Sequence, residues 1–281
     1  MPANLILNYT EYLQKYPIHD LFNLDRSHVE DYQKNQALNS RKNVEPKNSD
    51  PLPPELDDLI RLHYLVISRK VTTVLEFGSG KSTLVFADAI KRNKESFEEF
   101  VSTNLRKANQ FEVHSIENNE AWLERTKSII PVELQDVVNI HLCASEISHF
   151  NGRLCSYYQN IPNICPDLIY LDGPDQFSSE GTLRGLSTAH PDRMPMAADI
   201  LSIEHFLTPG TFIVVDGRTA NARFIRCNFQ RDWFYQYDSS SDQHFFELIE
   251  EPLGIYNRKQ IQFCLGQSYF ERLKANQLNS I

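Results

Sequence analysis

Cysteine is scarce and unpatterned. The five residues Cys143, Cys155, Cys165, Cys227 and Cys264 are odd in number and include no Cys-x-x-Cys pair, which excludes a disulfide framework and a zinc cage and points to buried free thiols. Positive charge is in deficit: 28 Lys and Arg stand against 37 Asp and Glu, a formal net charge of -9. A surface built to grip a phosphate backbone needs clustered cations, so nucleic acid is excluded as the main partner. No apolar run approaches the ~18 residues of a membrane span, so no membrane partner is expected. The opening residues MPANLILNYTEYLQKYP carry neither a basic leader nor a signal-peptide core, and the expected location is the cytoplasm.

Apolar residues make up 41% of 281, enough to bury the core of one large domain, with or without an extension. The first 45 residues mix aromatic and charged side chains without a strong period, and Tyr9, Tyr12, Tyr16, Phe22 and Tyr32 favour contact over disorder. VEPKNSDPLPPE then reads as a linker. We therefore divide the chain into an N-terminal extension, residues 1–48, and a main domain, residues 54–281. In ELDDLIRLHYLVIS, Leu56, Leu59, Ile60, His63 and Ile67 recur at helical spacing, with His63 read as core packing.

From Val71 the pattern changes. Short β-branched runs, VTTVLEF, FEVHSIE, VNIHLCA, DLIYLD and TFIVVD, alternate with helical stretches such as STLVFADAIKR and NARFIRCNF. This alternation predicts an α/β fold: a doubly wound, mostly parallel sheet of about seven strands. The tail breaks it, since DWFYQYDSSSDQHFFELIEE reads as an antiparallel edge hairpin and IQFCLG as one more short strand. Such sheets bind ligands beyond the carboxyl ends of their strands.

The first such end is VLEFGSGKST. A Walker loop requires a glycine five residues before Gly80, where Leu75 stands inside the strand, so the turn is too short to wrap a triphosphate. A dinucleotide fingerprint matches at Gly78 and Gly80 but meets Thr83 at its third position, and Glu76 would repel a pyrophosphate. An acid there suits a cationic ligand.

At Glu76-Phe77-Gly78-Ser79-Gly80 the chain resembles the class I S-adenosylmethionine-dependent methyltransferases, whose first strand ends in Asp/Glu-x-Gly-x-Gly. The order of motifs from Glu55 to Gly266 extends the likeness. The resemblance implies that S-adenosylmethionine is bound by Glu76, Gly78, Ser79, Gly80, Ser82, Glu117, Asn118, Ser145 and Asp172. Glu117 takes the ribose hydroxyls, Trp122 follows it, and Ala144 to Glu146 lie near the adenine. In one departure, 36 residues separate Gly80 from Glu117, where the related dinucleotide fold has about 20; KRNKESFEEFVSTNLRKANQ is read as an extended charged helix plus loop.

The chemistry is expected after the fourth and fifth strands. Asp172, Asp216 and His190 are the candidate catalytic residues, and Asp175, Arg193, Arg218 and Asn221 the candidate acceptor contacts. Two mechanisms stay open: Asp172 or a loop histidine as general base, or a divalent cation such as Mg held by Asp172 and Asp216. The second resembles the cation-dependent O-methyltransferases, with Asp216-Gly217 one ligand short unless Asn221 or Asp175 replaces it. Residues 176–197 form a long loop of the lid kind. The expected activity is methylation of a hydroxyl or amine on a small polar acceptor, a sugar or a natural-product or peptide precursor. Transfer of the aminopropyl or aminocarboxypropyl arm, or an inactive subunit serving a catalytic partner, are the alternatives. The extension, residues 1–48, is read as a cap, a homodimer contact or a partner-protein contact.

Overall fold

The computed structural model describes residues 7–24 and 56–279. The proline-rich linker and Tyr32 lie outside the described residues. The main sheet contains β1 (Thr73–Phe77), β2 (Glu112–Glu117), β3 (Val138–Leu142), β6 (Leu168–Leu171), β7 (Phe212–Asp216), β8 (Trp233–Asp238) and β9 (Gln243–Leu248). Their order is β3-β2-β1-β6-β7-β9-β8. The first five named are parallel, and β9 and β8 form the antiparallel edge.

Alternation along the strands explains why these runs are apolar throughout. Val74, Leu168, Tyr170 and Val214 point to one face, against Leu62, Phe86 and Ile90 of the helices α2 (Leu56–Ser68) and α3 (Lys81–Asn104). Leu75, Phe77, Ile169, Leu171, Ile213 and Val215 point to the other, against Ile200 and Leu201 of α5 (Asp199–Ile203) and Ala222 and Ile225 of α6 (Thr219–Asn228). With helices on both faces, both faces of a central strand are largely apolar, with Glu76 of β1 and Ser115 of β2 among the buried exceptions. The charged surplus after Gly80 is accounted for by α3, whose later turns carry much of it.

One element went unread in the sequence and one reading needs correction. SEISHFNGRLCSYY forms a separate hairpin of β4 (Ser145–Phe150) and β5 (Arg153–Tyr158). Its turn has positive φ at both Asn151 and Gly152, the conformation that an Asn-Gly pair accommodates best. IQFCLG is no strand: it ends α7 (Gly254–Cys264), where Asn257 and Ile261, one helical turn apart, are both buried. A final helix, α8 (Gln267–Asn279), follows. Among the described residues no helix is long and apolar enough to cross a membrane.

The described part of the N-terminal extension packs onto the domain. Helices α1 (Tyr9–Lys15) and α4 (Glu120–Ile129) are both capped by asparagine; on α1 the Asn8 side chain accepts from the Glu11 amide. Tyr12, Leu13 and Ile18 meet Leu56, Leu59, Ile60 and Val85 in one apolar cluster. A buried polar chain crosses it: the Tyr12 hydroxyl lies 2.7 Å from Nδ1 of His63, and His63 Nε2 lies 2.9 Å from Asp88 Oδ2. Burial holds the His63 pKa below its ordinary value, so the neutral ring donates from Nε2 to Asp88 and accepts from Tyr12 at Nδ1.

Tyr12→Phe leaves that Nδ1 buried without its donor. We expect a loss of about 1–3 kcal/mol in chemical denaturation, and an unchanged midpoint would show that the extension is not held through His63.

Candidate active site

The chain runs outward from β1 to β3 and returns to β6 on the other side of β1. The topological switch point therefore lies between β1 and β6, where doubly wound folds open a ligand crevice. At this point the turns after the two strands touch. A Cβ built on Gly78 would lie 2.9 Å from the Gly173 amide nitrogen, and one on Gly173 would lie 2.6 Å from that of Gly78. Gly78 also has φ of 92°, a backbone that side chains rarely tolerate. The Ser79 carbonyl accepts from Trp122 Nε1 at 2.6 Å, which fixes the indole beside Gly80.

The two acids expected at the cofactor behave differently. Glu76 is fully buried, with Oε1 accepting from Ser82 and Oε2 from Thr83 and Ser115. Burial pushes its pKa up to about 7 against the pull of these three hydroxyls. Its oxygens are engaged beneath the first turn of α3, and Ser82 points to it as well. Glu117 ends β2 with its carboxylate facing the glycine turn. One oxygen accepts from the Asn118 and Asn119 amides at 2.9 Å each, the other from the Ser79 amide at 3.0 Å and the Ser79 hydroxyl at 3.2 Å. The Ser79 hydroxyl lies equally close, 3.2 Å, to Thr126 Oγ1. Its single proton has two acceptors, so an incoming hydroxyl can displace it from Glu117 at little cost.

After β6, Asp172 is crowded by protein yet keeps 54% of its side chain reachable by solvent. Crowding and the nearby Asp216 carboxylate push its pKa up to about 6, while Arg218 opposes them. Arg218 is held at the start of α6 and is only 12% exposed. It donates to the carbonyls of Asp172 and Pro174, with Nε 3.5 Å from Asp172 Oδ1. Asp216 accepts from the buried Tyr170 hydroxyl at 2.8 Å.

The other predicted residues take structural positions. The Asn221 side chain, fully buried, accepts from the Ala197 amide and donates to the Ala197 carbonyl; it ties down the end of the loop, and no free polar atom is left for an acceptor. Asp175 caps its own turn by accepting from the Phe177 and Ser178 amides. Arg193 donates to the Ser187 carbonyl, and the half-exposed His190 ring accepts from the Asp192 amide at 3.1 Å, so the hydrogen bonds of both stay within their loop. That loop also packs against the end of β2 and the start of β4: the Ser145 and Ser179 hydroxyls are 2.8 Å apart, Ser145 and Glu180 pair through their backbones, and Asn118 reaches the Ser178 carbonyl.

Tyr158 was missed. It ends β5 beside the switch point, 5% exposed and stacked on Phe77. Its hydroxyl is buried without a partner, and a Cβ on Gly173 would lie 2.7 Å from it. The Asn-Gly dipeptide that predicts the hairpin was the available signal.

Gly78→Ala and Gly173→Ala force the two turns apart, and we expect each to cost about 1–3 kcal/mol or more. Gly152→Ala and Gly181→Ala, at positive φ like Gly78 but with no atom within 4 Å, isolate backbone strain alone; equal losses at all four positions would refute the contact. A second expectation concerns pH. The folded Glu76 carboxyl titrates near 7 against an ordinary 4.5, so the folded chain keeps a proton there that the unfolded chain releases, and stability falls as pH rises between those values. In urea titrations from pH 5 to pH 8, Glu76→Gln should flatten that fall by about 3 kcal/mol. Asp199, also pushed up to about 7 by burial, leaves a residual slope, and a wild-type slope in the variant would show that Glu76 does not titrate there.

No protein-family profile matches the chain, and no curated protein matches its sequence. Solved structures with a similar layout include an O-methyltransferase from Bacillus cereus in complex with SAH, at 14% identity over 83% of this chain and 95% of that one, TM-score 0.41. Another is a putative caffeoyl-CoA O-methyltransferase from Staphylococcus aureus, at 12% identity over 85% and 99%, TM-score 0.43. A third, an O-methyltransferase from Streptomyces achromogenes in complex with SAM, has 15% identity over 87% and 92%, TM-score 0.38. At these values the assignment of fold rests on the chain's own strand order and on the position of its glycine turn. By both, this chain has the fold of the class I S-adenosylmethionine-dependent methyltransferases.

Proposed function

We propose that this protein is an S-adenosylmethionine-dependent methyltransferase acting on a hydroxyl or amine of a small polar acceptor. The observation that carries the reading is the bare-backbone contact of Gly78 with Gly173 at the switch point, flanked by Glu117 and by the unpartnered Tyr158 hydroxyl. This set fits the cofactor. Side chains are absent where a ligand must approach the backbone, Glu117 can exchange the Ser79 hydroxyl for a ribose hydroxyl, and a buried donor still lacks an acceptor.

When bound, S-adenosylmethionine supplies a methyl group already activated on a sulfonium. What remains for the protein is alignment, exclusion of water and removal of the acceptor's proton. Gly78, Ser79 and Gly80 seat the ligand, and Glu117 with Asn118 and Ser145 orient its nucleoside end. Glu76 acts at one remove, holding α3 to β1 and β2 through Ser82, Thr83 and Ser115. Residues 178–180 keep water from the nucleoside side. Asp172, open to the cleft, takes the proton from the acceptor.

In thermal-shift assays, S-adenosylmethionine at 100-fold its Kd should stabilise the chain by about 2.7 kcal/mol, a shift of roughly 5–10 °C; stabilisation by NAD or ATP alone would sink the proposal. Gly78→Val should abolish that shift. Asp172→Ala should keep it yet stop transfer, followed by mass spectrometry of candidate acceptors with cofactor labelled on the methyl group. Because the base must be ionised, turnover should rise with pH through about 6, and a profile flat from pH 5 to pH 8 would remove Asp172 from that role.

A further inference from the structure

The cation-dependent enzymes that the chain resembles need oxygen ligands from the turns after both β6 and β7, and here the pair after β7 is one ligand short. Asp172 and Asp216 are the two carboxylates available. The position after Asp216 is Gly217, with no side chain. The replacements that the sequence offers are engaged elsewhere: Asp175 by the Phe177 and Ser178 amides, Asn221 by Ala197. Asp242 lies near Gly217, yet its Oδ1 accepts from the Tyr237 hydroxyl at 3.0 Å. Among the described residues no three His, Cys, Asp or Glu side chains converge on a point where a metal could be held. Mg²⁺ takes six oxygen ligands, of which only one or two come from protein carboxylates, so what decides the site is whether another cation already faces those acids.

A cation is already built in beside Asp172. The Arg218 guanidinium is almost wholly enclosed, with one nitrogen facing the Asp172 carboxylate and two others tied to the carbonyls of Asp172 and Pro174. It is anchored by fork geometry that no lysine reproduces, and it belongs to the residue just before α6, directly after the β7 turn. We propose that Arg218 takes the place of the divalent cation beside Asp172, so that the acceptor side of this cleft works without metal and Arg218 is its positioning residue. This rests on the reading of Asp172 and Asp216 as the acceptor side, given above.

The test is Mn²⁺ binding by the full-length chain, followed by electron paramagnetic resonance and needing neither cofactor nor acceptor. Wild type should leave millimolar Mn²⁺ free. Arg218→Ala, which removes the cation facing the Asp172 carboxylate, should bind Mn²⁺ at least tenfold more tightly than wild type, and adding Asp216→Asn should abolish the gain. Where the alanine variant loses its fold by circular dichroism, Arg218→Met keeps the length of the side chain without its charge and should show the same gain. Wild-type binding that Asp216→Asn removes would overturn the proposal, as would folded Arg218 variants that remain blind to Mn²⁺. A chain that ignores S-adenosylmethionine but shows this pattern would refute the transferase reading while supporting the role of Arg218.

Discussion

Two glycine backbones in contact constrain everything at the carboxyl edge of this sheet. Strands β1 and β6 are parallel neighbours, so the turns that leave them emerge side by side, and the chain passes from one to α3 and from the other into the long loop. Only because Gly78 and Gly173 lack side chains can the two turns close to within contact of each other. That closeness brings Asp172, Ser79 and the Tyr158 hydroxyl into one small volume, from three segments far apart in sequence. A single methyl group at either glycine would push apart the walls that form the cleft.

Three acids around this contact are distinguished by what surrounds them. Glu76 sits among hydroxyl donors with no solvent, and its charge is opposed by burial. Glu117 sits among peptide N–H groups, which fix its direction. Asp172 has a guanidinium on one side and water on the other. The same carboxylate group thus becomes a structural peg, an oriented acceptor and a solvent-exposed acid, and the difference lies in the donors placed against each.

Much of the fold was legible because burial on both faces leaves a strong trace: Val74 to Phe77, Leu168 to Leu171 and Phe212 to Val215 could hardly be anything but central strands. The glycine turn was legible for the same reason, as its spacing rules out longer phosphate loops. Side-chain direction was not. Glu76 sits at the end of an apolar strand, where its neighbours in sequence do not reveal Ser115, brought in by the parallel pairing of β2. Arg218 and Asn221 read as acceptor contacts because they are polar and follow β7, yet their partners are backbone atoms of the β6 turn and of Ala197, over 20 residues away. The β4–β5 hairpin had a local signal in Asn151-Gly152 and was passed over for the surrounding strand-helix rhythm. IQFCLG failed for the opposite reason, since six apolar-rich residues cannot distinguish a strand from the end of a helix.

The position of Arg218 links the folding role of the site to its chemistry. A diffusible cation beside Asp172 would need a ligand set complete before it arrived, and its occupancy would follow concentration. A guanidinium carried on the first residue before α6 arrives with the fold, and its two carbonyl bonds define the very turn that presents Asp172. The same group therefore shapes the Asp172 backbone and moderates the Asp172 charge, while Asp216 pulls that charge the other way. Charge preorganised in this manner needs no rearrangement when a reacting group enters. It also couples the two ends of the cleft: any shift of α6 would move the guanidinium, the Asp172 turn and, through Gly173, the glycine turn that faces it.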